Sequence, residues 1–487
     1  MAAKTETRTG NGPALEVERR LLIAGIWQRG NGPTRQVLDK YTCAELAPLE
    51  TASDEQIAAA VAAAHAAFED GAPTPWERGE ILDRAAALVE IQTGILVRTM
   101  QAEAGFTEAD AAGEVKRCIQ TLKLSAEEAR RLKGDVVPLE GAPGQAGRLA
   151  FTLRLPIGVV AAITPFNSPL NTVTHKLAPA FAAGNPVVLK PSSNTPFTAA
   201  KLCEILVEAG MPDGFLSLVH GGAEVARTLL ADQRIRFFAF TGSTEVGREI
   251  QRSAGLRRSQ MELGSIAFTV LCDDADLDRA LPKIASAGYR KAGQVCTSVQ
   301  ILLVHEAIAD QVEQRLAPLV ADLPYGDPHQ SETVVGPLIS EGDAKRIANW
   351  IEDAVAGGAR KLAGGDRQGT VVPPTLLADI NPEMAVGCRE IFGPVVCIER
   401  FSRLDEAIAR VNSTPYGLAT GLFTNGLDAA LASARRMRVG GVHINETSSS
   451  RVDLMPYGGS KDSGFGREGP HYAIQEMTEE RIITITA

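Results

Sequence analysis

The sequence predicts an α/β protein with a doubly wound parallel sheet, a second α/β domain and a small β arm. Three observations carry this. From Ile157 onward, short apolar runs alternate with amphipathic stretches in a strand–helix–strand rhythm. A second such rhythm starts near "AFTVLCDDADLDRALPKIASAGYR" and runs to about Ile444. At 487 residues, with 45% of them hydrophobic, the chain has material for two or three domains with large cores.

In order along the chain, the first 17 or so residues are polar and are expected to be mobile. "LLIAGIWQRG" reads as a short hairpin. "SDEQIAAAVAAAHAAFED" has helical spacing, with Ser53 as N-cap and acids in the first turn. Further helices run to about Leu132. "DVVPLEGAPGQAGRLAFTLRLPIG" then reads as two strands around a Gly/Pro-rich turn, a projecting arm. "GVVAAITPF" and "NPVVLKPS" are the short apolar runs of buried parallel strands. "TPFTAAKLCEILVEAG" is a helix closed by Gly210. "FLSLVHG" and "IRFFAFTG" are strands, and "STEVGREIQRSAG" is the helix that follows. The tail "ERIITITA" alternates as a strand. With the 135–155 hairpin it makes a plausible oligomerisation sheet by edge pairing.

Composition excludes several classes. The net charge is −10 and no Lys/Arg-rich run occurs, which argues against a nucleic-acid partner. No stretch reaches the roughly 18 apolar residues of a membrane span. The seven cysteines are scattered without a C-x-x-C pair, and the seven histidines form no ligand motif, so no metal is expected. An odd, unclustered cysteine count and a start without a secretory pattern fit the cytoplasm.

Two features suit a nucleotide. "FTGSTEVG" ends a strand and opens a helix at Gly242-Ser243-Thr244, where free N–H groups and the helix dipole favour a pyrophosphate. In "LKPSSNTP", Lys190 falls at the C-terminal end of a buried strand, where ligands gather in open α/β sheets. In "KAGQVCTSVQ", Cys296 is either a small core residue or a nucleophile.

The blocks "PFNSPL", "GNPVVLKPSSNTP", "FTGSTEVG", "MELGS", "GQVCTS", "EIFGPV" and "MPYGGSKDSGFGREG" resolve this choice. With them, in this order, the sequence resembles the aldehyde dehydrogenase superfamily over nearly its whole length. The resemblance implies a Rossmann-like cofactor domain over 18–134 and 156–264, and a catalytic domain over 265–455. It implies an oligomerisation domain over 135–155 and 478–487, with 456–477 near the active site. It also implies NAD or NADP, and a homodimer or homotetramer. By match to the motifs, Cys296 is the nucleophile, Glu262 the general base and Asn167 an oxyanion donor. Lys176 and Glu468 match positions that relay protons in some members. The cofactor is expected among Ile163, Pro165, Phe166, Lys190, Ser193, Gly222, Thr241, Gly242, Ser243, Leu263, Gly264, Glu390 and Phe392. Within that set, Glu390 and Phe392 position the nicotinamide ribose and ring, Lys190 the adenine ribose and Ser243 a phosphate.

These residue types fit the chemistry. Thiolate addition makes the tetrahedral carbon that hydride transfer needs, and preorganised donors hold its oxyanion. A thioester then remains on the sulfur, and a base must activate the water that hydrolyses it. CoA-acylating relatives lack a glutamate at position 262, so Glu262 favours hydrolysis over that alternative. Intact Cys296, Glu262 and Asn167 argue against a non-catalytic protein that merely keeps the fold.

Departures from the family pattern bear on specificity. Ser265 replaces the second glycine of the Glu-Leu-Gly-Gly motif, which is harmless if its φ is negative. Ser193 stands where NAD-preferring members carry a glutamate, so NADP is expected to be accepted. The expected tunnel positions are polar: Ser168, His175, Arg117 and Arg451. Two arginines suit a carboxylate, phosphate or phosphonate, so the expected substrate is a short polar or anionic aldehyde. Val295, beside the nucleophile, adds no charge. The set resembles the lactaldehyde, glyceraldehyde-3-phosphate and phosphonoacetaldehyde branch.

Overall fold

A computed structural model describes residues 17–486, so the N-terminal segment expected to be mobile lies, but for its last residue, outside the described residues. The strand Val159–Ile163 shows how the first sheet is built. Its alternate residues serve two cores: Val160 and Ala162 pack on one side, Val159, Ala161 and Ile163 on the other. Burial on both faces is why the strand reads as a continuous apolar run.

This sheet has eight strands in the order 464–465, 258–262, 235–241, 159–163, 187–190, 216–218, 21–23, 26–28. The five from 258–262 to 216–218 run parallel, and the others add antiparallel edges. Chain order reverses between Val159–Ile163 and Ile235–Thr241, so the segments after these strands open at a switch point, where such sheets bind ligands.

The second sheet has seven strands in the order 360–363, 375–378, 395–401, 299–305, 267–271, 419–423, 441–444. All pairs are parallel except the first. Cys296 lies just before the strand Val299–His305, in a turn that follows a kink. The kink puts Lys291 and Ala292 in the left-handed region, at φ 51° and 52°.

The third sheet is small and antiparallel. Thr478–Thr486 pairs along Arg148–Pro156, whose other edge takes Val136–Val137. The first strand of the expected hairpin is therefore only two residues long. Pro138 follows it and has no N–H to continue the ladder.

Helix ends follow their sequence signals. Asp54–Asp70 is capped by Ser53 in a capping box with Gln56. Gly210, at φ 99°, follows the helix Pro196–Glu208. Ser265 stays outside the left-handed region, so no glycine is needed there. Among the described residues, no helix is long and apolar enough to cross a membrane.

Candidate active site

The site forms where the first sheet's switch point meets the Cys296 turn. Asn167, in the loop after Val159–Ile163, donates from Nδ2 to the Gln294 carbonyl at 2.9 Å. One amide hydrogen of Asn167 is thus used on the turn that carries Cys296, which leaves the second for another acceptor. Cys296 is half-buried, and its Sγ lies 2.8 Å from the Tyr457 hydroxyl. Burial pushes the thiol up to about 11, against the Tyr457 hydrogen bond, which lowers it; the nearby Glu262 raises it further.

Glu262 ends the strand Arg258–Glu262 and is buried, with Oε1 unpartnered. Burial, then the adjacent Glu468 carboxylate, holds its carboxyl well above the usual glutamate range. Glu468 behaves oppositely. Burial alone would raise it, but the Lys176 ammonium at 2.7 Å and the Arg451 guanidinium at 2.8 Å hold it far below that range. Lys176 also donates to Gln260 at 3.0 Å. It sits on the helix Asn171–Ala182, which is buried along its whole length.

The residues expected at the substrate form a second cluster. Arg117 grips Asp453 with two hydrogen bonds, at 2.6 and 3.2 Å. His175 Nε2 meets Asp453 at 2.8 Å and Arg451 at 3.2 Å. Burial would raise the Asp453 carboxyl, but hydrogen bonds from His175 and Arg117 outweigh it and hold it well below the usual range. Arg117 and Arg451, both expected at the substrate, thus spend their guanidinium groups on Asp453 and Glu468. Ser168 donates to Glu114 at 2.7 Å.

Three further residues enter the site that sequence reasoning passed over. Tyr457 touches the Cys296 sulfur. Arg290 donates to Ser449 at 2.6 Å and makes no ion pair with any described residue; Ser449 in turn lies 3.3 Å from Thr297, the neighbour of Cys296. Arg35 reaches Glu224 at 3.0 Å beside the Gly221–Gly222 turn. Tyr457 was visible inside a matched block. Arg290 and Arg35 had no motif to flag them.

The residues present fit a dinucleotide. Lys190 is buried with no carboxylate bonded to it. Its Nζ donates to the carbonyls of Gly221 at 2.9 Å and Pro191 at 3.1 Å, which leaves one hydrogen free. Burial lowers its ammonium to about 8. Ser193 donates to the same Gly221 carbonyl at 2.9 Å. Gly222 and Ser243 precede the helices Ala223–Ala231 and Thr244–Ala254. The Thr241 hydroxyl is buried without a partner. On the other side of Cys296, a cleft is lined by Ser265, Gly293, Val295, Glu390 and Phe392. Glu390 accepts from the Ser265 N–H at 2.8 Å, and burial raises its carboxyl to about 7. A Cβ on Gly264 would come within 2.9 Å of Glu390, so Gly264 lets that carboxylate close in. Leu263 lies between these groups, its N–H bonded to the Ser463 carbonyl. Phe392, at φ 53°, meets Phe166 edge-on with ring centroids 5.8 Å apart. Ile163 and Pro165 lead into Phe166 from the strand end.

Known proteins place this arrangement. Residues 27–483 match the Aldehyde dehydrogenase family. A 3-sulfolactaldehyde dehydrogenase of Priestia megaterium is 44% identical over 466 residues, 96% of this chain and 97% of its own length. The structure of aldehyde dehydrogenase 21 from Physcomitrella patens, in complex with the reaction product succinate, has a TM-score of 0.93 at 37% identity, covering 96% of this chain and 98% of that one. The glyceraldehyde-3-phosphate dehydrogenase GapN of Methanocaldococcus jannaschii, complexed with NADP, has a TM-score of 0.90 at 34% identity, covering 94% and 100%. With more than nine-tenths of its length aligned to such enzymes, the chain belongs to the aldehyde dehydrogenase family and is an NAD(P)-dependent aldehyde-oxidising enzyme.

Proposed function

We propose that this enzyme oxidises a short anionic aldehyde to the carboxylic acid, and that it accepts NADP. The carrying observation is Arg290. Among the described residues its guanidinium hydrogen-bonds the Ser449 hydroxyl and makes no ion pair, the Asp110 and Glu114 carboxylates acting on it from longer range, and Ser449 sits against the residue next to Cys296. A cation without a carboxylate partner beside the nucleophile suits a substrate carboxylate, sulfonate or phosphate. Arg117 and Arg451 are each already paired, with Asp453 and Glu468. The relatives fit: one is named for a sulfonated aldehyde, one holds succinate, and one is named for a phosphorylated aldehyde.

In this reading the Cys296 sulfur adds to the carbonyl carbon. The Asn167 amide and the Cys296 N–H hold the oxyanion, each such donor contributing about 2.7–4 kcal/mol to the transition state. Bound NAD or NADP supplies the hydride acceptor. Glu262 then takes a proton from the water that hydrolyses the thioester on Cys296. Lys176 and Glu468 form the relay behind it.

The NADP reading rests on Ser193, Lys190 and Arg35. None of the three carries a negative charge that would repel a 2′-phosphate. Glu224, the nearby acid, is engaged by Arg35 and by the Gly222 N–H at 2.8 Å.

Comparing kcat/KM for 3-sulfolactaldehyde, succinate semialdehyde and a phosphorylated aldehyde with hexanal and benzaldehyde, using both cofactors, tests the proposal. We expect the anionic substrates to lead. Arg290→Gln should lower their kcat/KM by about 10–100-fold, the loss of one charge-assisted hydrogen-bonding group, and leave hexanal unchanged. A preference for the apolar pair would overturn the substrate reading, and undetectable NADP turnover the cofactor reading.

A further inference from the structure

The Cys296 sulfur has one side-chain partner among the described residues, the Tyr457 hydroxyl at 2.8 Å. The placement is built from three directions. Pro456 precedes Tyr457, and the Tyr457 backbone pairs with that of Glu468 in both senses, at 3.1 and 2.6 Å, which anchors the loop. The Arg451 guanidinium lies over its ring at 3.8 Å from the centroid. Arg451 is itself held by Glu468 at 2.8 Å and His175 at 3.2 Å. The ring therefore has little freedom to turn its hydroxyl away from the sulfur.

We propose that Tyr457 is a further catalytic residue, whose hydroxyl donates a hydrogen bond to the Cys296 sulfur and stabilises the attacking thiolate, with Arg451 as the positioning residue that clamps its ring. The neutral thiol can donate to the phenol or accept from it. A thiolate can only accept, so the contact strengthens as the nucleophile forms. The cation over the π face pulls electron density from the ring and makes the phenol a better donor. In the step assisted, the Sγ–H bond breaks and its proton leaves to water. The sulfur electron pair forms the Sγ–C bond, and the carbonyl π pair moves to oxygen. Tyr457 keeps its own proton throughout: burial, and then the Cys296 charge, hold its phenol well above its ordinary range. The contact opposes the burial that otherwise disfavours the Cys296 thiolate.

The proposal rests on Cys296 as nucleophile, which Cys296→Ala tests separately. Its own test needs neither aldehyde nor cofactor. The full-length enzyme is alkylated with iodoacetamide across pH, and the Cys296 peptide is followed by mass spectrometry, which separates it from the exposed Cys43 and Cys388. Tyr457→Phe should move the alkylation midpoint up by about one to two pH units, the value of a hydrogen bond to a charged group. Activity at neutral pH should fall in step, and the variant should converge with the parent at high pH. Replacing Tyr457 with 3-fluorotyrosine, a stronger donor of nearly the same shape, should move the midpoint down. An unchanged midpoint in both variants, or shifts of the same sign, would overturn the proposal.

Discussion

Glu262 and Glu468 are adjacent buried carboxyls with opposite protonation preferences. Lys176 and Arg451 both bond to Glu468, which favours the negative charge there and the proton on Glu262. A general base works only when ionised. Turnover limited by thioester hydrolysis should therefore rise with pH through a limb well above the ordinary glutamate range of about 4.3. Lys176 favours the charged form of Glu262, so Lys176→Met should push that limb to higher pH still. A pH–kcat profile checks both, and a limb that stays in place in the variant would remove Lys176 from the relay. Glu262→Gln should keep a single burst of reduced cofactor per site and lose steady turnover, while Cys296→Ala should show neither. Stopped-flow absorbance separates the two. The residues of this pair were legible as motif positions. Their protonation was not, because it depends on which carboxylate the cations reach.

The helix Glu108–Arg131 carries Glu114 and Arg117 three residues apart, on one face, into the site. Glu114 accepts from Ser168 Oγ at 2.7 Å, from the Asn171 N–H at 3.0 Å and from Lys291 Nζ at 2.6 Å. Lys291 also donates to the Asn167 carbonyl at 3.1 Å. One buried ion pair thus ties together the helix, the Asn167 loop and the turn that carries Cys296. Burial would raise Glu114, but the Lys291 charge, followed by that of Arg117, holds it at about 2. Glu114→Ala leaves the Lys291 ammonium buried and unpaired, which should cost about 3–5 kcal/mol. Lys291→Met in the same chain should restore part of that loss, because no charge is then stranded. Urea unfolding of the single and double variants measures this, and strictly additive losses would contradict the pairing. Helix starts and stops were readable from Ser53 and Gly210. The kink at Lys291 and Ala292 was not, since neither residue favours a positive φ. Arg290 directly precedes that kink and reaches Ser449 from a position that no sequence pattern marks.

At the scale of the whole molecule, the two parallel sheets were legible from alternating apolar runs, because burial on both faces leaves an unmistakable composition. The third sheet was readable as strands, but its role depends on what covers it. On Arg148–Pro156, Leu149 and Leu153 point to one face and are 52% and 39% exposed, and Ile485, the cross-strand partner of Leu149, is 50% exposed. The strand Thr478–Thr486 is also an edge, with one side of its backbone unpaired over nine residues. An apolar face and a long open edge on one small sheet are what a soluble chain covers by association. We expect the enzyme to form a homodimer or homotetramer through this sheet. Each leucine buried there would supply about 1.5–3 kcal/mol. Leu149→Lys with Leu153→Lys changes only side chains that face outward in the single chain, so the fold should persist while association weakens. Sedimentation velocity at micromolar concentration should show the parent as an oligomer and the double variant shifted to a smaller species. A monomeric parent, or a double variant that sediments like the parent, would place the oligomer contact elsewhere.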